Sequence, residues 1–185
     1  LKGRTFLVTG DSGTGKTIFG MQFLLQGIKD GENGIFITTD EKPESLIEDA
    51  ASLGWDFRSL RDSNKLAILD ITHHFEDLRA KRSMEVDIRK IIADLERYTT
   101  ELNAERIVID PIAPLVIHPE TDIRDYIRRL VFSLEGLGCT FVITSNIPVG
   151  SAGISMFGVE ELFASGVIKL GFLFRENRYD RTLLI

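Results

Sequence analysis

One short segment constrains the fold of this 185-residue chain more than any other, the octapeptide Gly10-Asp11-Ser12-Gly13-Thr14-Gly15-Lys16-Thr17. It matches the pattern G-x-x-x-x-G-K-[ST], in which glycines let consecutive backbone N–H groups turn inward and cradle phosphates. An apolar stretch, Thr5 to Thr9, precedes it, and a broadly apolar stretch, Lys16 to Lys29, follows it. A strand that leads through such a loop into a helix is the context that phosphate binding requires. The pattern therefore predicts a P-loop.

The last two residues of the loop have separate chemical tasks. Lys16 is expected to place its positive charge on the β- and γ-phosphates of a nucleotide, and the hydroxyl of Thr17 is expected to bind Mg²⁺. The helix that begins here adds the positive end of its dipole. The remaining loop residues, Gly10 to Gly15, are predicted to contact the phosphates through their backbone.

A second segment, Arg106-Ile107-Val108-Ile109-Asp110, is an apolar strand that ends in an acid. In P-loop proteins such an aspartate lies beside the loop, at the carboxyl edge of the sheet, and holds Mg²⁺ through its water shell. An acid that merely caps a strand end is the alternative. Together with the P-loop, the pattern predicts that Asp110 belongs to the metal site.

A third segment places Asp40 and Glu41 directly after the apolar strand Ile35 to Thr39. Ligands of open α/β sheets bind at the carboxyl ends of strands, so this acidic pair is a candidate for polarising an attacking water as general base. The alternative is that both acids complement the dipole of the helix that Pro43 opens. The spacing alone leaves both interpretations open.

Strand and helix patterns alternate along the chain, which predicts an α/β fold with a mainly parallel sheet flanked by helices. Further strands are predicted over Leu66–Ile71 and Thr140–Thr144, and a C-terminal antiparallel hairpin over Val167–Phe174 and Arg181–Ile185, around Glu176-Asn177. Helices are predicted over Pro43–Leu53, Met84–Leu102 and from Ile123 to Leu137, and loops over Asp30–Gly34, His73–Ser83 and Asn146–Phe157. We expect residues 1–185 to form a single core domain. Because the chain begins at Leu1 and ends in an apolar strand, we expect flanking segments in the full protein.

Composition excludes some classes of protein and leaves others. The net charge of −6 and the pI near 5.1 argue against a large electropositive surface for duplex DNA. No apolar run approaches the ~20 residues that span a bilayer, so a cytoplasmic protein is expected. The lone Cys139 lies in an apolar context and is predicted to be a buried structural thiol. His73-His74 with Glu76-Asp77 lack the convergent spacing of a zinc site, so no metal cluster is predicted there. Trp55 is predicted to be a packing residue.

Taken in order along the chain, these motifs resemble the RecA-type ATPases, and among them the KaiC-like domains. The resemblance covers nearly the whole sequence and includes the P-loop. Its other parts are Thr39-Asp40-Glu41-Lys42-Pro43, Leu53-Gly54-Trp55-Asp56, Val108-Ile109-Asp110, Val142-Ile143-Thr144-Ser145-Asn146, Phe157-Gly158-Val159-Glu160-Glu161-Leu162 and Arg181-Thr182-Leu183. P-loops occur in many families, whereas this ordered set is specific.

The resemblance implies a Mg²⁺-dependent ATPase that assembles head-to-tail, commonly as a hexameric ring, with ATP at the subunit interface. Glu41 would be the water-activating base and Asp40 its partner, while Asn146 or Ser145 would report the γ-phosphate to the following loop. Three positions depart from the family pattern. The acidic pair is usually Glu-Glu, a small hydroxyl residue usually stands at Pro111, and an acid or glutamine commonly stands at Asn146. A slow ATPase that works as a switch is the function we expect.

Two alternatives remain open at this point. The three departures favour an ATP-responsive signalling or scaffold module with little or no hydrolysis. A RecA- or RadA-like protein that binds DNA is the other, but the loop Asn146–Phe157 carries no Lys or Arg. That loop is still a candidate contact for a protein partner or single-stranded nucleic acid. Arg175, Arg178 and Arg181 are interpreted as solvated charges of the hairpin, with contact to a neighbour's nucleotide as the alternative.

Overall fold

A computed structural model of the chain describes residues 2–71, 88–116, 122–176 and 178–185. The predicted loop His73–Ser83, with its two histidines and two acids, lies outside the described residues. The first residues of the predicted helix Met84–Leu102 and the turn residue Asn177 also lie outside them. Within the described part, no helix is long and apolar enough to cross a membrane.

The strands and helices alternate as the sequence pattern predicts. In the described residues the strands are β1 (Thr5–Gly10), β2 (Asn33–Thr38), β3 (Leu66–Asp70), β4 (Ala104–Asp110), β5 (Thr140–Asn146), β6 (Gly166–Arg175) and β7 (Arg178–Leu184). The helices there are α1 (Lys16–Lys29), α2 (Pro43–Ser52), α3 (Phe57–Asp62), α4 (Ile88–Leu102) and α5 (Ile123–Glu135), with short 3-10 helices at Ala113–Leu115 and Glu160–Leu162.

The strands form one seven-stranded sheet in the order β3-β2-β4-β5-β1-β6-β7. Neighbouring strands are parallel except for β6 and β7, which pair antiparallel from Lys169–Leu184 to Arg175–Arg178. The predicted fold class, a mainly parallel sheet with a C-terminal antiparallel hairpin, is therefore confirmed. Because β1, β2, β4 and β5 are parallel, their carboxyl ends meet at one edge of the sheet.

Both faces of the sheet are buried, since successive strand residues point to opposite sides. On β4, Ile107 and Ile109 pack with α4 and α5, whereas Val108 packs on the other side with α1 and α2. On β1, Leu7 packs on the same side as Ile107 and Ile109, and Val8 packs on the same side as Val108. We refer below to the two sides as the α5 face and the α1 face.

Several boundaries differ from the prediction. Helix α3 was not predicted; it begins after Asp56, whose carboxylate accepts the Ser59 N–H at 2.9 Å as an N-cap. Strand β2 begins at Asn33, inside the predicted turn, and β7 begins at Arg178 rather than Arg181. For both strands, pairing with a neighbouring strand extends the regular structure into polar residues.

Two packing predictions are confirmed. Cys139 is 4% exposed and its thiol donates to the Ala104 carbonyl at 3.1 Å. Burial raises the pKa of this thiol, and the nearby Glu105 charge adds to the shift. Trp55 is half-buried against the apolar cluster of the α1 face.

Candidate functional site

A cavity of about 470 Å³ lies on the α1 face, at the carboxyl edge of the sheet. Residues from each predicted part of the site line it. They are Ser12, Gly13, Gly15, Lys16 and Thr17 of the loop and α1, the acids Asp40, Glu41 and Asp110, and Asn146. The topology thus brings together segments that are more than one hundred residues apart in sequence.

The remaining loop residues, Gly10, Asp11 and Thr14, shape the loop rather than line the cavity. The Thr14 N–H and hydroxyl both bond the Asp11 carbonyl, at 3.4 and 2.8 Å. A Cβ at Gly10 would lie 2.4 Å from the Leu170 carbonyl oxygen and 2.8 Å from the Thr14 hydroxyl, so a side chain there cannot be accommodated without movement. Gly15 is the N-cap of α1 and has a φ of 104°, a left-handed conformation that favours glycine.

The ammonium group of Lys16 is held inside the loop. The side chain is only 8% exposed, and its Nζ donates to the carbonyls of Gly10 and Asp11, both at 2.9 Å. An ammonium has three N–H donors, so one remains for a ligand. Burial lowers the pKa of Lys16, although the charges of Asp110 and Asp11 oppose the shift. An anion in the cavity would compensate this buried positive charge, which fits a phosphate ligand.

Asp110 is held at the end of β4 by Thr144 of β5 and by Thr39, which directly follows β2. The hydroxyl of Thr144 on β5 donates to its carboxylate, and the Thr39 N–H donates to its backbone carbonyl at 3.1 Å. The Thr39 hydroxyl donates to the carbonyl of the next residue, Pro111, at 2.9 Å. These contacts fix the acid in the cavity that Thr17 also lines.

The donor set fits Mg²⁺. Thr17 offers a hydroxyl and Asp110 a carboxylate, both oxygen ligands of the type that this ion prefers, and Mg²⁺ completes its shell with waters and phosphate oxygens. Within the described ranges, no group of three or more His, Cys, Asp or Glu side chains is placed to hold a metal ion by itself. Thr17 and Asp110 would thus hold the ion only together with a nucleotide.

The acidic pair follows β2 on a short, well-tied loop. The Glu41 N–H donates to the Thr38 hydroxyl at 3.0 Å, and that hydroxyl donates to the Glu41 carbonyl at 2.7 Å. Partial burial raises the pKa of both Asp40 and Glu41, and the negative charge of Asp110 raises it further. A carboxylate with a raised pKa is a stronger proton acceptor than one in water, as a general base requires.

Asn146 is the last residue of β5 and pairs in register with Gly10, where the P-loop begins. The next residue, Ile147, donates its N–H to the Gly10 carbonyl at 3.3 Å. Asn146 therefore lies where a phosphate in the loop would meet the end of β5. The structure brings it together with the loop, as the sequence predicted, and its role stays a prediction.

Part of the cavity wall was not predicted from the sequence. It consists of Ile18 and Met21 of α1, Thr38 of β2, Pro111 after β4, and Leu46, Asp49, Ser52 and Leu53 at and after α2. The amphipathic spacing of α2 indicates that Leu46 is buried, but it does not show that Asp49 and Ser52 face the phosphate loop. That orientation comes from packing of α2 beside α1 on the same face of the sheet. Mixed apolar and polar groups beside a phosphate cradle suit the nucleoside part of a nucleotide.

The fold and the site define the class to which this chain belongs: RecA-type P-loop nucleotide-binding proteins. The family model described as "ATPase: KaiC" matches residues 1–185. The chain is therefore a member of the KaiC ATPase family, a family of nucleotide-binding ATPase domains.

Known relatives agree with this assignment. The chain is 32% identical to circadian clock protein KaiC3 of Synechocystis sp., over 99% of this chain and 36% of that protein. It is 32% identical to UPF0273 protein MK0039 of Methanopyrus kandleri, over 97% of this chain and 73% of that protein. The crystal structure of KaiC-like protein PH0186 from Pyrococcus horikoshii OT3 superimposes with a TM-score of 0.81 at 32% identity, covering 99% of this chain and 78% of that one. The chain thus spans about a third of the length of KaiC3.

Proposed function

We propose that this chain binds ATP with Mg²⁺ in the 470 Å³ cavity, hydrolyses it slowly, and acts as a nucleotide-driven switch in a head-to-tail ring. The meeting of the P-loop, Asp110, the acidic pair and Asn146 in that one cavity is the observation that carries the proposal. We also propose that residues 1–185 form one core domain, since all described strands belong to a single sheet.

Each side chain has a role in this proposal. Lys16 binds the β- and γ-phosphates with its ammonium, while Thr17 and Asp110 hold Mg²⁺, which neutralises phosphate charge when bound. Glu41 accepts a proton from the attacking water, and its raised pKa suits that task. Asp40 lies beside it, its pKa is also raised, mainly by burial, and it would orient the water or the base.

The C-terminal hairpin supports assembly. On the α1 face its side chains Phe172, Phe174, Tyr179 and Leu183 are 43%, 58%, 73% and 54% exposed. The aromatic rings pack on one another, with Phe174 and Tyr179 centroids 5.0 Å apart. An apolar group of this kind on a surface is typical of a protein interface.

Charge complementarity favours another copy of this chain as the partner of the hairpin. The hairpin, residues 166–185, carries four basic and two acidic residues, whereas residues 40–53, which contribute to the cavity wall, carry five acidic residues and one basic one. Different surfaces that complement each other produce head-to-tail contacts, which close into a ring when the rotation allows. Arg175, Arg178 or Arg181 of one subunit would then lie near the nucleotide of the next.

The test is ATP hydrolysis at rising protein concentration, with and without Mg²⁺, with the mass measured by light scattering. We expect the rate per subunit to rise as a ring forms and to require Mg²⁺. Glu41→Gln should lower the rate by about 100-fold, the usual contribution of a general base, with ATP affinity little changed. Glu48→Gln, an equivalent substitution on the exposed side of α2, is the matched control and should leave the rate unchanged.

The opposite result has a defined meaning. Tight ATP binding without turnover in any assembled state would support the ATP-responsive scaffold instead. The residue that favours this second function is Asp40, which is one methylene shorter than the glutamate usual in the family. A shorter acid displaces its carboxylate by about 1 Å, which is enough to slow a reaction that depends on position.

A further inference from the structure

Glu160 is a buried acid that the proposed ATP site does not use. It is the first residue of the 3-10 helix Glu160–Leu162, and its exposed fraction is 0%. It does not line the phosphate cavity. Glutamates are almost never fully buried unless partners compensate the loss of water, so the groups around Glu160 need an explanation.

The hydrogen bonds that the structure describes for this carboxylate all come from O–H or N–H donors. Its Oε1 accepts the Ser145 hydroxyl at 2.9 Å. Its Oε2 lies 2.8 Å from the Ser155 hydroxyl, whose single proton is shared between Glu160 and Glu161. The backbone N–H of Phe157 approaches both oxygens at 3.3 and 3.2 Å, and the N–H of Val159 approaches Oε2 at 3.2 Å. One side chain thus fixes the backbone of the segment that precedes it.

The two serines extend this network. The Ser145 hydroxyl accepts the Met156 N–H at 2.9 Å, and the Ser155 hydroxyl accepts the Gly158 N–H at 3.1 Å. Because Ser145 accepts from Met156, its own proton is available for Glu160. Four backbone N–H groups between residues 156 and 159 therefore depend on Glu160, either directly or through a serine.

Ser145 places this network directly behind the phosphate cavity. Successive strand residues point to opposite faces, so Thr144 and Asn146 of β5 point to the α1 face and Ser145 to the α5 face. Thr144 bonds the carboxylate of Asp110, and Asn146 lines the cavity. A shift of the end of β5 on one face must therefore move the anchor of residues 156–159 on the other.

We propose that Glu160 is a positioning residue that couples the end of β5 at the phosphate cavity to residues 147–159. The coupling rests on the proposed function, because the ligand that shifts β5 is the nucleotide. Residues 147–159 present Val149 and Met156 to solvent, with exposed fractions of 106% and 42%. The nucleotide state is thereby transmitted to this surface of the molecule.

The chemistry requires a carboxylate rather than an amide. In Glu160→Gln, one oxygen becomes an NH₂ donor and faces a backbone N–H in either orientation, that of Phe157 at Oε1 or that of Val159 at Oε2. Two donors then oppose each other in a buried position. The matched control is Glu161→Gln, because the one contact of Glu161 with this network is the Ser155 hydroxyl and the substitution leaves the backbone N–H groups that Glu160 accepts in place. It also leaves the Ser155 proton to Glu160.

The experiment is amide hydrogen exchange of Met156, Phe157 and Val159 in the full chain, with and without Mg²⁺-ATP, beside ATP affinity by titration. In the wild type and in Glu161→Gln, we expect ATP to change the exchange of these amides. In Glu160→Gln, exchange should be faster by about fivefold, the effect of one lost hydrogen bond, and should no longer respond to ATP. ATP affinity should stay within about twofold, since the P-loop is unchanged.

Ser145→Ala provides a second variant if Glu160→Gln does not fold. It leaves the carboxylate and removes only its link to β5, so the exchange of Met156 should stop responding to ATP. An ATP response in both variants equal to that of the wild type overturns the coupling. Failure of the wild type to bind ATP is a different result: it overturns the proposed function, and with it the role of Glu160.

Discussion

The carboxyl edge of the sheet and the C-terminal hairpin show opposite patterns of burial. At the carboxyl edge, the polar side chains Thr9, Thr144 and Ser145 are 0% exposed, and each makes a hydrogen bond. On the hairpin, the aromatic side chains Phe174 and Tyr179 are 58% and 73% exposed. Polar groups are thus inside and aromatic groups outside, the reverse of the usual preference.

The difference indicates which region is complete within a single chain. The buried polar groups Thr9, Thr144 and Ser145 at the carboxyl edge are satisfied by partners from the same chain, so they need no other chain to satisfy them. The aromatic groups of the hairpin can lose their contact with water only against another surface. Substitutions in the first region should therefore affect the ligand or the fold, and substitutions in the hairpin should affect assembly.

The largest effect is expected for Lys16→Met, which keeps most of the apolar stem and removes the charge. ATP affinity should fall by about 1,000-fold, because the remaining donor of Lys16 contributes a charge-assisted hydrogen bond of about 2 kcal/mol and its charge contributes an attraction to the phosphates of about the same size. The free energy of unfolding should change by less than about 1 kcal/mol. The reason is that both carbonyls keep another donor: Gly10 that of Ile147 at 3.3 Å, and Asp11 that of Thr14 at 2.8 Å.

Titration calorimetry with Mg²⁺-ATP and urea denaturation measure the two quantities. Lys29→Met, at the exposed end of the same helix, is the control and should bind ATP as the wild type does. A large loss of stability without loss of affinity would show that Lys16 holds the loop rather than the phosphates.

The second prediction compares serine substitutions of two residues on one face of β6, one buried and one exposed. Leu170 is 7% exposed and packs with the core of the α1 face, whereas Phe174, four residues later, is 58% exposed. Leu170→Ser should lower the free energy of unfolding by about 3 kcal/mol, from lost apolar contacts and a buried hydroxyl. Phe174→Ser should lower it by less than about 1 kcal/mol and weaken assembly by about 30-fold, the effect of a lost aromatic hot spot.

Denaturation of dilute protein and light scattering against concentration distinguish these results. Val149→Ser, fully exposed on another surface, is the control for a general effect of removing exposed apolar groups. If Phe174→Ser unfolds the dilute chain as strongly as Leu170→Ser does, the hairpin is part of the core and the contrast between the two regions is lost.

The sequence predicted the site more completely than its surroundings, for a physical reason. The P-loop, Asp110 and Asp40-Glu41 each follow a strand immediately, and parallel topology alone brings the ends of strands together. Their presence in one cavity follows from local pattern plus fold class. Their chemical roles remain predictions that the substitutions above address.

The features that the sequence did not predict depend on distant partners. Asp49 and Ser52 reach the cavity because α2 packs beside α1 on the same face of the sheet, which no local spacing encodes. Helix α3 has only six residues, too short for a periodic pattern, and its signal was the N-cap pair Asp56 and Ser59. Glu160 belonged to the family resemblance, but its function as a buried acceptor emerges only when β5 lies beside it.

The smallest expected effect is on the free energy of unfolding, which depends on pH because several acids lie close together at the carboxyl edge. The pKa values of Asp40 and Glu41 are raised by burial first and by Asp110 second, and Asp49 adds to the shift at Glu41. A carboxyl with a higher pKa in the folded chain than in the unfolded one is protonated more readily when folded. Its contribution therefore favours the folded state below the usual carboxyl pKa and is lost as pH rises through the raised value.

Glu41→Gln removes the part of this pH dependence that comes from Glu41 and leaves the part from Asp40. Its free energy of unfolding should exceed that of the wild type by roughly 0.5 kcal/mol at neutral pH, the scale of exposed charge effects, and the excess should disappear in acid. Urea denaturation at a series of pH values measures it, with Glu48→Gln as the control. Glu41 must be ionised to accept a proton. Because its pKa is raised, the rate of hydrolysis should begin to fall at a higher pH on acidification than it would with a glutamate of ordinary pKa. A stability excess that grows toward acid would mean that Glu41 is stabilised as a carboxylate, in conflict with its place among like charges at this edge.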